Sequence, residues 1–336
     1  MGTLLIERWF AGTTPIPIID DASTALVRAE VRACAVSAGL AEAATESMVI
    51  AASELGKNQL VHAHRGSVAV RVVRRGAVGG IEIIAADEGN GILDPASALA
   101  GRSTGSGLGG GLSGTARLCD ELDIDVRIGE GTCVRARKFA AELTRRPEIG
   151  VFGRPSPGES ISGDDALYAR HGDALLLAVA DGLGHGPHAR EASARAMDTF
   201  LALGAAAATD ILAACDRALD GTRGAVMAVA VWDEARGELS HAAAGNVIAC
   251  LQRRDDPKKL SGPAIVLGAR RSARLRPQSE TLALAPRDVL AIFTDGLSSR
   301  AAIDPSWALD PPVVIAQRLV AAFGDGRDDM LVLVAR

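Results

Sequence analysis

Apolar residues recur along the first half of the chain, first with the spacing of amphipathic helices and then with the alternation of strands. The helical spacing predicts helices over 21–38 and 41–62, and Gly39 has the position of a glycine that follows a helix. The strand-like runs lie at 67–73, 79–86, 123–128 and 133–139. The first half is therefore predicted to combine two long helices with antiparallel-looking strands.

The second half has more strands and shorter helices. Strand-like runs are expected at 165–168, 173–180, 224–232, 238–251, 288–293 and 330–334. Helical patterns lie at 187–203, 210–219 and 312–322. Helices inserted into many strands favour an α+β sandwich over repeated βαβ units.

A change of composition separates the two halves. The segment 140–163 is rich in proline and glycine, which favours a linker. A chain of 336 residues also exceeds the roughly 250–300 residues at which single cores stop growing. We therefore expect a first domain over 1–146 and a second over 147–336.

Composition narrows the functional classes. The net charge is −5 with acids and bases interspersed, which argues against a nucleic-acid-binding face. The five cysteines form no Cys-x-x-Cys pair, as expected in a reducing compartment. No run approaches the ~20 apolar residues of a membrane span, and acidic residues interrupt the N-terminus where a signal peptide would be apolar. These features predict a cytoplasmic protein without membrane contact.

The first half contains three polar or glycine-rich motifs. Glu54, Asn58 and His62 share one face of the second predicted helix, although a solvated polar stripe would give the same spacing. Asp87 ends a strand before a turn that contains Gly89 and Gly91. A glycine-rich run then precedes a helical segment, and its backbone N–H groups could face an anion; it contains Gly105, Gly107, Gly109, Gly110 and Gly111. Its match to G-x-G-x-x-G is weak because it follows a polar loop rather than a strand.

The order of these three motifs resembles the ATP boxes of the GHKL ATPase superfamily, and most closely its anti-sigma-factor-type and RsbT-like serine kinases. The resemblance covers about 14–140 and implies a GHKL (Bergerat) α/β sandwich that binds ATP and Mg²⁺. It implies that Asn58 holds Mg²⁺, Glu54 is the general base, Asp87 accepts from the adenine amino group and the glycines of 107–111 wrap the phosphates. Kinases of this group often dimerise, which makes a homodimer an expectation.

In the second half, the apolar run 174–180 ends at Asp181-Gly182-Leu183-Gly184-His185-Gly186. Three further aspartates, Asp164, Asp295 and Asp328, lie in similar short turns. Carboxylates packed together would raise one another's pKa values unless cations neutralised them. Hard oxygen ligands suit Mg²⁺ and Mn²⁺. Taken singly, each aspartate would also suit an ordinary turn, and His185 has the character of a turn residue.

The ordered motifs of the second half resemble the type 2C metal-dependent protein phosphatases, in the branch of SpoIIE and the RsbX-like enzymes. The resemblance spans about 150–336 and implies an α-β-β-α sandwich. It rests on Ser162-Gly163-Asp164, Asp181-Gly182-x-Gly184-His185-Gly186, Ala244-Gly245-Asn246, Thr294-Asp295-Gly296 and Asp328-Asp329-Met330.

The resemblance also implies the metal ligands. Asp181 bridges two Mn²⁺ or Mg²⁺ ions, the Gly182 carbonyl adds a ligand, and Asp164, Asp295 and Asp328 complete the site. Asp165 and Asp329 are expected to be structural, with a one-residue shift in either pair left open. Leu331 departs from the hydroxyl residue usual after the last motif, and no arginine can be assigned to the substrate phosphate from the sequence.

Together the two resemblances predict a bifunctional partner-switching regulator. A Ser/Thr kinase-like domain and a Ser/Thr phosphatase would act on a STAS-domain antagonist or scaffold protein in sigma-factor or stress signalling. In one alternative, the first domain senses ATP and gates the phosphatase without transferring phosphate. In another, it sequesters a sigma factor or switch protein.

Overall fold

This computed structural model describes residues 7–63, 65–102, 111–253, 256–269 and 277–336. The chain divides into two compact units, Met1–Ile149 and Gly150–Arg336. In the part of the chain described, no helix has both the length and the apolar character needed to cross a membrane.

The first unit pairs two long helices with an antiparallel sheet of order β1-β2-β3-β5-β4. The elements in chain order are β1 (Ile16–Pro17), α1 (Asp21–Ala38), α2 (Glu42–His62), β2 (Gly66–Arg75), β3 (Val78–Asp87), α3 (Pro95–Leu99), α4 (Gly111–Leu118), β4 (Glu121–Arg127) and β5 (Gly131–Phe139). Both long predicted helices are present, whereas α3 lies in a stretch predicted to be a polar loop.

Local signals explain where α1 begins and ends. The Asp20 carboxylate accepts a hydrogen bond from Ser23 N, and Ser23 Oγ accepts one from Asp20 N, which forms a capping box. At the other end Gly39 adopts φ 75°, the left-handed conformation that favours glycine. The buried face of α1, which includes Val27 and Val31, turns away from water while the helix packs beside α2, β2 and β3.

Charged side chains are buried within the sheet of the first unit. Arg137 donates from Nε to Glu82 (2.7 Å) and from Nη1 to Asp123 (2.8 Å), and all three residues are buried. Burial by itself raises the pKa of Glu82, but attraction by Arg137, Arg135 and Arg71 outweighs it and lowers that pKa to about 2. Paired charges therefore take the place of an apolar core at this point.

The second unit contains an antiparallel sheet of order β13-β10-β9-β8-β7 and a sheet of order β6-β15-β14-β11-β12 that is antiparallel from β15 to β12. Its elements are β6 (Ile149–Arg154), β7 (Asp164–His171), β8 (Ala174–Gly182), α5 (Pro187–Leu203), α6 (Ala208–Ala218), β9 (Ala225–Asp233), β10 (Glu238–Ala244), β11 (Ile248–Gln252), β12 (Lys258–Leu260), β13 (Glu280–Ala283), β14 (Val289–Phe293), a 3₁₀ turn (Pro305–Trp307), α7 (Pro312–Phe323) and β15 (Met330–Ala335).

Helices cover the outer faces of these sheets. Alternate β8 residues such as Leu176 and Ala178 share a core cluster with Phe200 of α5 and Ile211 of α6. The intervening β8 residues are buried as well, so that sheet is covered on both faces. The helix α7 packs against β15, which is buried along its whole length. The α-β-β-α sandwich expected for this half, like the α+β class of the whole chain, is confirmed.

Two sequence predictions were wrong in detail. The expected single strand 238–251 is two strands, β10 and β11, in different sheets, because the chain turns at Gly245 with φ 89°. The expected linker contains the buried strand β6. A Cβ on its Gly150 would overlap the backbone of Val313, so this glycine permits close packing rather than flexibility.

Replacing the buried arginine should destabilise the first unit strongly. Arg137→Ala removes the partner of three buried carboxylates, those of Glu82, Glu121 and Asp123, and we expect a loss of about 3–5 kcal/mol. Arg32→Ala is the matched control, because its ion pair with Glu46 is half exposed, and it should cost less than about 1 kcal/mol. Native-state hydrogen exchange of the β5 amides measures both losses. Equal, small losses in the two variants would contradict the importance assigned to the buried ion cluster.

Candidate functional site

The β7–β8 hairpin brings two of the predicted aspartates together. Asp164 begins β7 and Asp181 lies near the end of β8, and the antiparallel register places them directly opposite each other. Directly paired strand residues project side chains to the same face at short distance. Asp164 is buried, with an exposed fraction of 2%, whereas Asp181 is partly exposed.

Asp295 and Asp328 reach the same cluster from other parts of the second unit. Asp295 follows β14 and accepts a hydrogen bond from Asn246 Nδ2 at 2.6 Å. It also shares a hydrogen bond with the Asp181 side chain. Asp328 precedes β15, is exposed, and is close enough to Asp181 to act on its pKa.

The pKa values of Asp181 and Asp164 are raised because the acidic side chains lie close together and are partly or fully buried. Burial, followed by the charges of Asp295 and Asp328, raises the pKa of Asp181 to about 8. Burial, followed by the charge of Asp181, raises the pKa of Asp164 well above its usual range, although Thr294 Oγ1 opposes this by donating to Asp164 Oδ2 at 2.6 Å. The cluster therefore favours a bound proton or a bound cation.

The donor atoms of this cluster suit a divalent cation, but the side chains are not arranged to hold one. Within the described residues, no group of three or more histidine, cysteine or acidic side chains is close enough to hold a metal ion as it stands. The available donors are carboxylate oxygens, which suit Mg²⁺ and Mn²⁺. As the side chains stand, Asp181 and Asp295 share a hydrogen bond.

The structure separates the members of the two aspartate pairs. Both oxygens of Asp329 accept backbone hydrogen bonds at 2.7 Å, Oδ1 from Ser156 N and Oδ2 from Gly163 N. Asp165 is fully buried, and its Oδ1 accepts from the neighbouring Ala166 N. Asp329 thus ties both ends of the loop 156–163, and its charge also raises the pKa values of Asp164 and Asp181. Asp328 Oδ1 accepts from the neighbouring Asp329 N at 2.8 Å.

Glycines are required where the turn after Asp181 meets the next helix. A Cβ on Gly182 would overlap the Ala189 carbonyl of α5, and Gly184 and Gly186 have φ values of 88° and 73°. Between them, His185 lies on the surface with Nδ1 2.7 Å from Glu159 Oε1. The glycines of this turn therefore allow its backbone to pack closely against the backbone of α5.

Several residues support this cluster that the sequence did not single out as site residues. Thr294 and Asn246 hold Asp164 and Asp295 by the hydrogen bonds given above, and Arg190 Nη1 donates to the carbonyl of Asp164 at 3.0 Å. Thr294 and Asn246 stand inside motifs that the sequence did reveal. Their place next to those motifs is the signal that could have identified them.

In the first unit, the structure brings together residues from two helices. Glu54 and Asn58 lie one turn apart on α2, both partly exposed. Gly111 begins α4 with φ 48°, and a Cβ there would lie 3.7 Å from Asn58 Oδ1. The start of α4 therefore lies against the Asn58 side chain. Four glycines of the predicted phosphate loop lie outside the described residues: Gly105, Gly107, Gly109 and Gly110.

Asp87 ends β3, and the turn that follows it lies near the C-terminal end of α2. Its Oδ1 accepts a hydrogen bond from Gly89 N at 2.8 Å, and burial raises its pKa. A Cβ on Gly89 would approach the His62 carbonyl, and one on Gly91 would approach the Arg127 carbonyl. These two glycines let the turn after β3 pack tightly, so that the Asp87 carboxylate keeps a fixed position.

Comparison with known proteins assigns each half of the chain separately. A family model described as a histidine kinase-like ATPase domain matches residues 19–138, and one described as Stage II sporulation protein E (SpoIIE) matches residues 171–336. Over 90 residues the chain is 40% identical to the serine/threonine-protein kinase RsbT of Bacillus subtilis (strain 168), a match that covers 26% of this chain and 68% of RsbT.

Two solved structures resemble more than half of the chain. One, reported in work on the bacterial stressosome as a modular system adapted to control secondary messenger signalling, is 28% identical with a TM-score of 0.53, covering 57% of this chain and 100% of that one. The other, RsbX in complex with magnesium, is 23% identical with a TM-score of 0.50, covering 58% and 96%, and shows the fold alone.

The kinase match is long enough and similar enough to fix the family of the first half, and the phosphatase model covers nearly all of the second unit. The chain therefore belongs to the RsbT family of serine/threonine kinases through its first half, and it joins that kinase-like domain to a SpoIIE-type phosphatase domain.

Proposed function

We propose that this chain is a partner-switching regulator that both adds and removes phosphate on a protein partner. Domain 1–146 would transfer the phosphoryl group of ATP to a serine or threonine, and domain 147–336 would hydrolyse the product with Mn²⁺ or Mg²⁺. The observation that supports this most strongly is the convergence of four aspartates in the half that matches the SpoIIE model.

In the phosphatase domain, Asp181 would be the central ligand of the cations. The Gly182 carbonyl, Asp164, Asp295 and Asp328 would complete the coordination. The cations, when bound, activate water and neutralise charge on the phosphoryl group. The chain's own contribution is orientation: Thr294 holds Asp164 and Asn246 holds Asp295.

In the kinase-like domain, Asn58 would hold Mg²⁺ and Glu54 would accept the proton of the incoming hydroxyl. Asp87 would accept from the adenine amino group, with Gly89 and Gly91 shaping the pocket. The glycine-rich run that ends in Gly111 would surround the phosphates, and the contact of Gly111 with Asn58 supports this assignment. Phosphoryl transfer depends mainly on such positioning and charge neutralisation.

For the partner we propose a STAS-domain antagonist or scaffold protein. A protein that carries opposing activities needs a substrate that is stable in both phosphorylation states and exposes the modified hydroxyl to each site. The identity to RsbT and the likeness to a stressosome structure support a partner-switching system. A sigma factor or switch protein would then respond to the state of that partner.

The phosphatase proposal is tested by substituting Asp181, Asp328 and Asp329 one at a time. With Mn²⁺ and a phosphorylated STAS-domain protein, the wild type should release phosphate and Asp181→Ala should abolish the release. Asp328→Asn should raise the Mn²⁺ concentration needed for half-maximal activity by about tenfold or more, because a neutral amide replaces a charged carboxylate. Phosphate release and its Mn²⁺ dependence are the measurements.

Asp329→Asn is the matched control, since Asp329 holds backbone N–H groups rather than the cluster's open face. It should lower the thermal midpoint of the second unit and leave the Mn²⁺ requirement nearly unchanged. If the two substitutions exchanged their effects, the assignment of Asp328 as ligand would be wrong. If Asp181→Ala kept full activity, the phosphatase proposal would fail.

The kinase proposal is tested with labelled ATP and the unphosphorylated STAS-domain protein. Glu54→Ala should bind ATP with nearly wild-type affinity but reduce transfer by about 10²- to 10⁴-fold, the usual contribution of a general base. Asn58→Ala should weaken Mg²⁺-ATP binding itself. Calorimetry separates binding from transfer. ATP binding with no label on any protein, in the wild type, would instead favour an ATP sensor that gates the phosphatase.

A further inference from the structure

The turn that precedes β9 is attached directly to the turn that carries Asp181. Leu183 N donates to the carbonyl of Gly224 at 3.0 Å. Within the turn, Thr222 Oγ1 donates to the Leu219 carbonyl at 2.7 Å and accepts from Gly224 N at 3.0 Å. Gly224 has φ 87°, so the turn has a defined backbone shape. The residue before Gly224, Arg223, is thereby held at a fixed place beside the glycine turn.

The side chain of Arg223 lies over Gly184. Its Nη1 is 3.1 Å from the position that a Cβ on Gly184 would take. The carbonyl of Gly184 in turn lies 3.4 Å from the Cβ position of Gly163, the residue before Asp164. The guanidinium group is therefore placed against the segment that links Asp181 to α5, beside the start of β7.

Arg223 is not committed to another protein group. Its side chain is exposed, and it makes no hydrogen bond or ion pair with any other described residue. Arg190, by contrast, is bound to the carbonyls of Ser162 and Asp164. A guanidinium without a described partner, placed over the glycine turn that follows Asp181, is available to a ligand from outside the chain.

The proposed substrate requires a positively charged hydrogen-bond donor such as the Arg223 guanidinium group. A phosphoserine or phosphothreonine carries about −1.5 to −2 charge at neutral pH, and it must approach a cluster of carboxylates. Cations bound at the cluster would neutralise those carboxylates, and the phosphoryl oxygens would still need hydrogen-bond donors. The planar fork of an arginine matches two phosphate oxygens at once, which a lysine cannot do.

We propose that Arg223 binds the phosphoryl oxygens of the phosphatase substrate. This inference rests on the proposed phosphatase function of the same site. The absence of a side chain at Gly184 would matter in two ways. A side chain there would displace the guanidinium group of Arg223, and it would also strain the backbone. Arg223 would thus contribute to substrate affinity for any phosphoserine or phosphothreonine protein, without selecting its sequence.

The test uses the full-length chain with Mn²⁺ and a phosphoserine peptide. Arg223→Ala should lower kcat/KM by roughly 10- to 100-fold, mainly through KM, since a hydrogen bond to a charged group is lost. The inhibition constant of inorganic phosphate should rise by a similar factor. Arg223→Lys should fall between the two, because it restores the charge without the fork. The Mn²⁺ concentration for half-maximal activity should not change.

Arg217→Ala is the matched control. Arg217 is also exposed and without a described partner, and it lies on α6, so the variant makes the same change in charge. It should leave kcat/KM and phosphate inhibition unchanged. Equal losses in both variants, or a shifted Mn²⁺ requirement with unchanged KM, would overturn the assignment of Arg223.

A direct measurement of phosphate binding tests the role of Arg223 independently of the phosphatase proposal. Calorimetry of inorganic phosphate binding to the Mn²⁺-loaded protein requires no turnover, and Arg223→Ala should weaken that binding by the same 10- to 100-fold. Wild-type protein that binds phosphate without hydrolysing the peptide would end the phosphatase proposal alone. Unchanged phosphate binding in Arg223→Ala would overturn the inference even if the enzyme is active.

Discussion

The second half of this protein depends on the mutual repulsion of four carboxylates. The β7–β8 register places Asp164 opposite Asp181, and the turns before and after the other sheet's strands add Asp328 and Asp295. Burial makes this arrangement unfavourable when all the acids are charged, which is why the pKa of Asp181 rises to about 8. Such an arrangement is consistent with a site that is completed by a cation, as the SpoIIE-type fold would require.

The two units handle buried charge in opposite ways. In the first, Arg137 neutralises Glu82 and Asp123 with the protein's own side chain, and the pKa of Glu82 falls to about 2. In the second, burial and the charges of neighbouring acids are the largest influences on Asp164 and Asp181, and they raise the pKa values of both. The first arrangement stabilises a fold, whereas the second leaves Asp181 with a raised pKa. The direction of a pKa shift thus helps to separate structural from functional acids.

Much of the fold could be predicted because local signals were clear. The helix Pro187–Leu203 has the predicted boundaries, with Pro187 at its start and Gly204 just after its end. The aspartates were found because each stands next to glycine or at a strand end. Arg223 and the Arg137 cluster could not be found in this way, since their roles depend on contacts between distant segments. The strand β6 was missed because glycine and proline are typical of linkers, whereas Gly150 allows close packing.

The central claim is that the carboxylates of the second unit bind a pair of divalent cations. It is tested most directly by titrating metal-free protein with Mn²⁺ near pH 7 in two buffers of different ionisation enthalpy. We predict two bound ions per chain and release of a proton, because Asp181 must give up the proton that its raised pKa retains. Asp181→Asn should remove both signals. Absence of Mn²⁺ uptake by the wild type, or uptake unaffected by Asp181→Asn, would contradict the account.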